Sequence, residues 1–323
     1  MRLGLRIAVS VGCLAFLVLF LPWSELREAV GRFSRPVWVG VLGGFLLGHA
    51  LGLLKWRGLL LGSGCRVGAR DATRCYTAGL FANICLPSII GGDVLRALLS
   101  GRIAGRLEAA FLAGIADRLL DSIALTILIG GGLVLTGNVL GDVSLAATTA
   151  LGVVAVLGAI LSAVWMSRRP LNRWPRKLRR PVARTLAAMR KLMTRPGPTL
   201  GALLLALTMQ SSFVLLNVWI GRSLGISLPV SVWFVAWPLA KLVGILPISL
   251  GGIGVRDAVF GAILLPLGVP LALGVVAHLI WQTVLISGGL LAGAVWWLMS
   301  PRRATGGRPG WRNLLRDAGA ANG

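Results

Sequence analysis

The sequence predicts an all-α polytopic membrane protein with about six full transmembrane helices plus two re-entrant, broken-helix hairpins in an inverted-repeat arrangement. Three observations predict it. Of 323 residues, 56% are hydrophobic and only 13% charged, with a mean hydropathy of +0.83. A soluble domain would be about a quarter charged. The apolar residues also gather in runs of bilayer length, where about 20 residues are needed to cross. Finally, one Pro-Gly-Gly motif occurs twice, half a chain apart.

The runs are residues 7–22, 37–54, 119–136, 143–166, 199–221 and 271–299. Arg2 and Arg6 precede the first, as in a signal peptide, but no small-x-small cleavage site follows Leu21-Pro22-Trp23. It is therefore read as a span. Basic loops set the orientation. Ser167 to Arg195 carries eleven Lys or Arg and no acid, Lys55 to Arg74 five against Asp71, and the tail after Pro301 five against Asp317. These stretches are placed inside, with both termini cytoplasmic in a bacterial inner membrane. Lys55, Trp56 and Arg57 are read as the start of a cytoplasmic loop. Segment 75–95 is then flanked by basic residues on both sides, so it is read as a hairpin entered from the cytoplasm. Segment 231–268, broken by Pro238, Pro247 and Pro266, is read as a second hairpin entered from outside.

Residues 1–300 form a single membrane domain with halves at about 1–142 and 143–300, and 301–323 is a basic tail. Within the basic loop 167–198, Leu178, Val182, Leu186, Met189 and Met193 fall at helical spacing, and Pro181 and Pro196 bracket most of the stretch. That pattern fits an amphipathic helix on the inner leaflet, with a solvated loop as the competing reading. The net charge of +23 sits beside spans, which points to anionic lipid headgroups and not to nucleic acid. Cys13, Cys65, Cys75 and Cys85 form no CxxC pair, and the two histidines give no zinc spacing. No metal or other cofactor is implied.

Leu86-Pro87-Ser88-Ile89-Ile90-Gly91-Gly92-Asp93-Val94-Leu95-Arg96 aligns without gaps to Leu246-Pro247-Ile248-Ser249-Leu250-Gly251-Gly252-Ile253-Gly254-Val255-Arg256, with Pro87 and Pro247 160 residues apart. Pro removes a backbone donor, and Gly-Gly turns without a Cβ. Such broken backbone is tolerated at membrane depth only inside protein or along a wet cavity. Paired breaks in two halves mark a transporter site; a Pro-Gly kink in a packed helix is the alternative. Asp93 and Arg96 accompany the first break, Arg256 and Asp257 the second, and Asp117, Arg118 and Asp121 follow early in the next span. Ionisable groups at that depth are paired or line a pathway, unless Arg96 and Arg118 snorkel to the interface. The planar fork of Arg suits phosphate, so two such arginines suit a phospholipid headgroup. Lys241, His49, His278 and Gln210 read individually as interhelical hydrogen-bonding groups.

The run from Phe81 to Arg96, then Asp117-Arg118-Leu119-Leu120, then Leu246 to Asp257 resembles the flippase-like transmembrane region of lysylphosphatidylglycerol synthases, over roughly residues 5–299. The resemblance implies a lipid-translocating domain with Asp93, Arg96, Asp117, Arg118 and Arg256 at the matching positions. Two departures stand out. The sequence ends about 24 residues past the last span, so the aminoacyl-transferase domain of the best-known members is not carried over. Asp257 also stands where the family usually has Glu. The expected function is a lipid flippase for a phospholipid or lipid-linked headgroup. Its partners would be anionic or phosphate-bearing lipids, a lipid-synthesis protein, and a second copy of the chain. The rivals are a membrane-embedded headgroup transferase and a non-transporting scaffold.

Overall fold

The computed structural model describes residues 31, 33–85, 91–136, 196–245 and 255–300. Among them are eight α-helices. The first four are α1 (Arg35–Ser63), α2 (Ala69–Cys85), α3 (Gly91–Ala104) and α4 (Leu107–Thr136). The second four are α5 (Pro196–Ser223), α6 (Val230–Ile245), α7 (Val255–Leu264) and α8 (Leu271–Met299), with a 3-10 turn at Leu265–Leu267.

Helices α1, α4, α5 and α8 are long and apolar enough to cross a membrane. At about 1.5 Å per residue the 29 residues of α1 reach past a hydrocarbon core of about 30 Å. Their outward faces carry Leu47, Val134 and Leu298, all strongly exposed, as lipid contact requires. These four account for the spans expected over 37–54, 119–136, 199–221 and 271–299. The runs at 7–22 and 143–166, and the basic loop 167–195, lie outside the described residues.

One expectation is corrected. Lys55 and Trp56 do not begin a loop: α1 runs on to Ser63, and the two side chains are 2% and 0% exposed. The helix ends instead at Gly64, whose φ of +90° needs no Cβ clearance and whose N–H caps Leu60 and Leu61 carbonyls.

The two sets of four helices repeat each other. Ser63 and Ser223, Cys85 and Ile245, and Ala104 and Leu264 end equivalent helices 160 residues apart. The starts of α4 and α8, Leu107 and Leu271, are 164 apart, because the 3-10 turn lengthens the second connection. Packing follows the same exchange. α1 lies against its equivalent α5, α2 against α8 as α6 lies against α4, α2 against α3 as α6 against α7, and α3 against α4 as α7 against α8.

A stripe of glycines closes the α1–α5 seam. Gly40 meets the Trp219 ring, Gly44 Leu216, Gly48 Phe213 and Gly52 Met209, and a Cβ on Gly52 would lie 2.9 Å from the Met209 sulfur. Glycine every fourth residue lets two apolar helices approach closely in lipid. The partners run down in number as the glycines run up, so the two equivalent helices are antiparallel.

Helices α2 and α3 fold back on each other. The Gly92 N–H donates to Asn83 Oδ1 at 3.1 Å, and Gly79 faces Gly92 and Arg96. These pairings also run in opposite order, which makes α2 and α3 an antiparallel hairpin. Its legs extend beyond the expected segment 75–95. Pro87, Pro247, Gly251, Gly252 and Gly254 lie outside the described residues.

Candidate functional site: a charged cavity between the two repeats

All eight helices contribute charged or polar side chains to one cavity of about 170 Å³, α2 through Tyr76 and Asn83. By volume that is room for about six waters. α1 gives His49 and Lys55; α3 gives Asp93 and Arg96; α4 gives Asp117, Arg118 and Asp121. From the second repeat come Gln210 on α5, Lys241 on α6, Arg256 on α7 and His278 on α8. Helical spacing does the local work. Asp93 and Arg96 are one turn apart on α3, and Asp117 and Asp121 share a face of α4.

On the first-repeat side the charges close into a network. Arg96 Nη2 reaches Asp117 Oδ2 at 2.6 Å and Asp93 Oδ1 at 3.0 Å. Lys55 Nζ lies 3.0 Å from Asp117 Oδ1 and also pairs with Asp121. Arg118 Nε donates to Asp93 Oδ2 at 2.5 Å. Three cations therefore meet three carboxylates. Arg96 is further covered by the rings of Trp56 and Tyr76, 5.2 and 5.5 Å from its guanidinium carbon. Neither arginine has turned away to the interface alone. Arg96 is 6% exposed, and Arg118, although 40% exposed as a side chain, holds its carboxylate partner.

The second-repeat side is built differently. Lys241 Nζ donates to the neutral Gln210 Oε1 at 2.7 Å and sits 4.8 Å from the Trp237 ring and 5.5 Å from Phe213. Arg256 lines the cavity with a buried, unpartnered Nε. Asp257 points elsewhere. Fully buried, it pairs with His278 Nδ1. His49 bonds the Tyr76 hydroxyl at 3.1 Å. The pairings of Lys241, His49, His278 and Gln210 match the interhelical hydrogen bonds expected of them.

Of the six predicted charged site residues, Asp93, Arg96, Asp117, Arg118 and Arg256 line the cavity and Asp257 does not. The reading from sequence left out Lys55, Asp121 and Lys241 as site members. Asp121 had a signal in its helix face shared with Asp117. Lys55 had none, since Lys-Trp-Arg after an apolar run looks like a span end.

The comparisons with known proteins bear on this geometry. The family description "Lysylphosphatidylglycerol synthase TM region" matches residues 4–293. The chain belongs to this family. No curated protein and no solved structure matches it. This member is a multi-pass membrane protein, consistent with a lipid-related role. The charged pairs that carried the resemblance, Asp93 with Arg96 and Asp117 with Arg118, are the ones that its helices α3 and α4 bring together.

Proposed function

We propose that this family member is a lipid flippase that moves a phospholipid or lipid-linked headgroup across the membrane through the cavity between its two repeats. The observation that carries the proposal is the cavity itself, with five cations and three carboxylates on its walls at the junction of four span-length helices. Ionisable groups are costly in a bilayer and mark a pathway or site. The antiparallel packing of the equivalent helices α1 and α5 supports an inverted-topology pair of repeats, entered from opposite faces. In such proteins the site lies between the repeats, near the midplane, beside broken helices. The α2–α3 hairpin, with its packed tip region at Asn83 and Gly92, supports a re-entrant element on the first side. Its counterpart α6–α7, with Arg256 packed near Gly244, does so on the second.

The arginines have separate tasks in this reading. Arg96 is held by Asp93 and Asp117 and shapes the first half of the cavity. Arg256 faces the cavity without an ion pair among the described residues and contacts the headgroup. Translocation of labelled phosphatidylglycerol in proteoliposomes tests the proposal, with wild type compared to Arg256→Ala and to Arg96→Ala/Arg256→Ala. Transport by wild type and its loss in the variants is the expected result. Wild type that moves no lipid while remaining folded overturns the flippase reading, and appearance of a chemically altered lipid favours a transferase.

A further inference from the structure

The two repeats are alike in backbone and unlike in charge. Arg96 and Arg256 hold the same place in the motif, yet α4 brings Asp117 to Arg96 whereas its counterpart α8 has no acidic residue from Leu271 to Met299. Lys55, on the first side, has two carboxylates. Lys241, on the second, has one amide oxygen and two aromatic faces. No ion pair joins Lys241 or Arg256 to a carboxylate among the described residues, and the nearby Asp257 is turned to His278. Two further buried atoms on this side, Arg256 Nε and Gln210 Nε2, lack partners, as does Arg96 Nε on the first. Gln210 itself is 1% exposed.

Partly buried cations without an ion pair are costly, and buried donors without acceptors add to the cost. Both demands are met by one kind of ligand. A phosphate monoester carries about −1.5 to −2 at pH 7 and three strong acceptor oxygens. The Arg fork takes two of those oxygens, and the compact Lys ammonium takes the third. A phosphodiester has a single charge and fewer free oxygens. A headgroup bearing an added amine brings a like charge against two cations that have no ion pair among the described residues.

Building on the flippase reading, we propose that Lys241 and Arg256 form a phosphate subsite selective for a lipid phosphomonoester, whose dianionic headgroup replaces the carboxylates that α8 lacks. The first side, where three carboxylates match three cations, gives the ligand no surplus cation.

Purified protein in detergent is titrated with dioleoyl phosphatidic acid, phosphatidylglycerol, lysylphosphatidylglycerol and inorganic phosphate, read by the tryptophan emission that Trp237 places beside Lys241. Phosphatidic acid is expected to bind at least about tenfold tighter than phosphatidylglycerol, with the lysyl lipid weakest and inorganic phosphate far weaker than phosphatidic acid. Gln210→Glu, nearly isosteric, gives Lys241 its own counter-charge and is expected to lower phosphatidic acid affinity at least about tenfold. Lys241→Met does the same and Lys241→Arg restores binding, which separates lost charge from lost fold. Equal affinity for phosphatidylglycerol or the lysyl lipid overturns the selectivity. Inorganic phosphate binding as tightly as phosphatidic acid overturns the lipid assignment in favour of a free-phosphate site. Selective binding without translocation in proteoliposomes leaves the subsite standing and overturns the flippase reading, so the two failures are distinct.

Discussion

Arg96 and Asp117 meet at 2.6 Å, and the other oxygen of Asp117 lies 3.0 Å from Lys55. One carboxylate on α4 thus ties α1 to α3. Arg96, Asp117 and Lys55 are all at most 6% exposed, so each depends on the others for its counter-charge. Removing one partner of a buried pair costs about 3–5 kcal/mol, because the remaining charge is left uncompensated. Asp117→Asn is therefore expected to lower the unfolding temperature in detergent sharply and to weaken α1–α4 packing. Unchanged melting would mean that water reaches and screens the network.

The α2–α3 hairpin depends on close backbone approach. A Cβ on Gly79 would stand 2.8 Å from the Gly92 carbonyl oxygen and 3.2 Å from Arg96 Cβ. Backbone yields less readily than a side-chain end, so Gly79→Ala is expected to cost about 1–3 kcal/mol by overpacking. Gly58, in α1, has nothing within 4 Å of such a Cβ. Gly58→Ala is expected to be neutral or to stabilise by up to about 1 kcal/mol through helix propensity. Equal melting of the two variants would contradict the hairpin geometry.

The structure gives Asp257 a tight place. Its side chain is 0% exposed and pairs with His278, which is 1% exposed. Asp257→Glu adds a methylene to this packed pair, with an expected destabilisation of about 1–3 kcal/mol. Asp257→Asn keeps the volume and removes the charge. A thermal-shift series should rank wild type above both variants; a Glu variant more stable than wild type would show that the site has spare room.

Cys65 lies between α1 and α2, 0% exposed, with Sγ 3.8 Å from the Ser100 carbonyl. Burial pushes its thiol pKa up, with Arg106 opposing. A raised value means less thiolate at a given pH, and the thiolate is the reactive form. In a Cys13→Ser/Cys75→Ala/Cys85→Ser protein, maleimide at pH 8 is expected to leave Cys65 unlabelled until denaturant is added. Folding removes the thiolate as well as access, so raising the pH to about 9 should speed labelling of the unfolded protein far more than that of the folded one. Rapid native labelling at pH 8 would refute the buried position.

The sequence by itself determined the membrane class and four of its spans, and it named five of the charged residues that line the cavity. Apolar run length reports burial in lipid directly, and an ionisable residue beside or within such a run stands out without any knowledge of packing. The resemblance carried by those same residues pointed to the family that the comparison then established. Tertiary structure decided the rest. Lys55 looked like a loop residue because a lysine after 18 apolar residues usually marks an interface, and only the approach of α4 brings Asp117 and Asp121 to it. The glycines at 40, 44, 48 and 52 are spaced for a seam, but which helix fills it is a long-range fact. The same holds for the difference between the two arginines. Each sits in one motif, and their local sequence is nearly the same. Arg96 has an ion pair among the described residues and Arg256 has none, because the helix packed beside each belongs to a different part of the chain and only one of those helices carries acids.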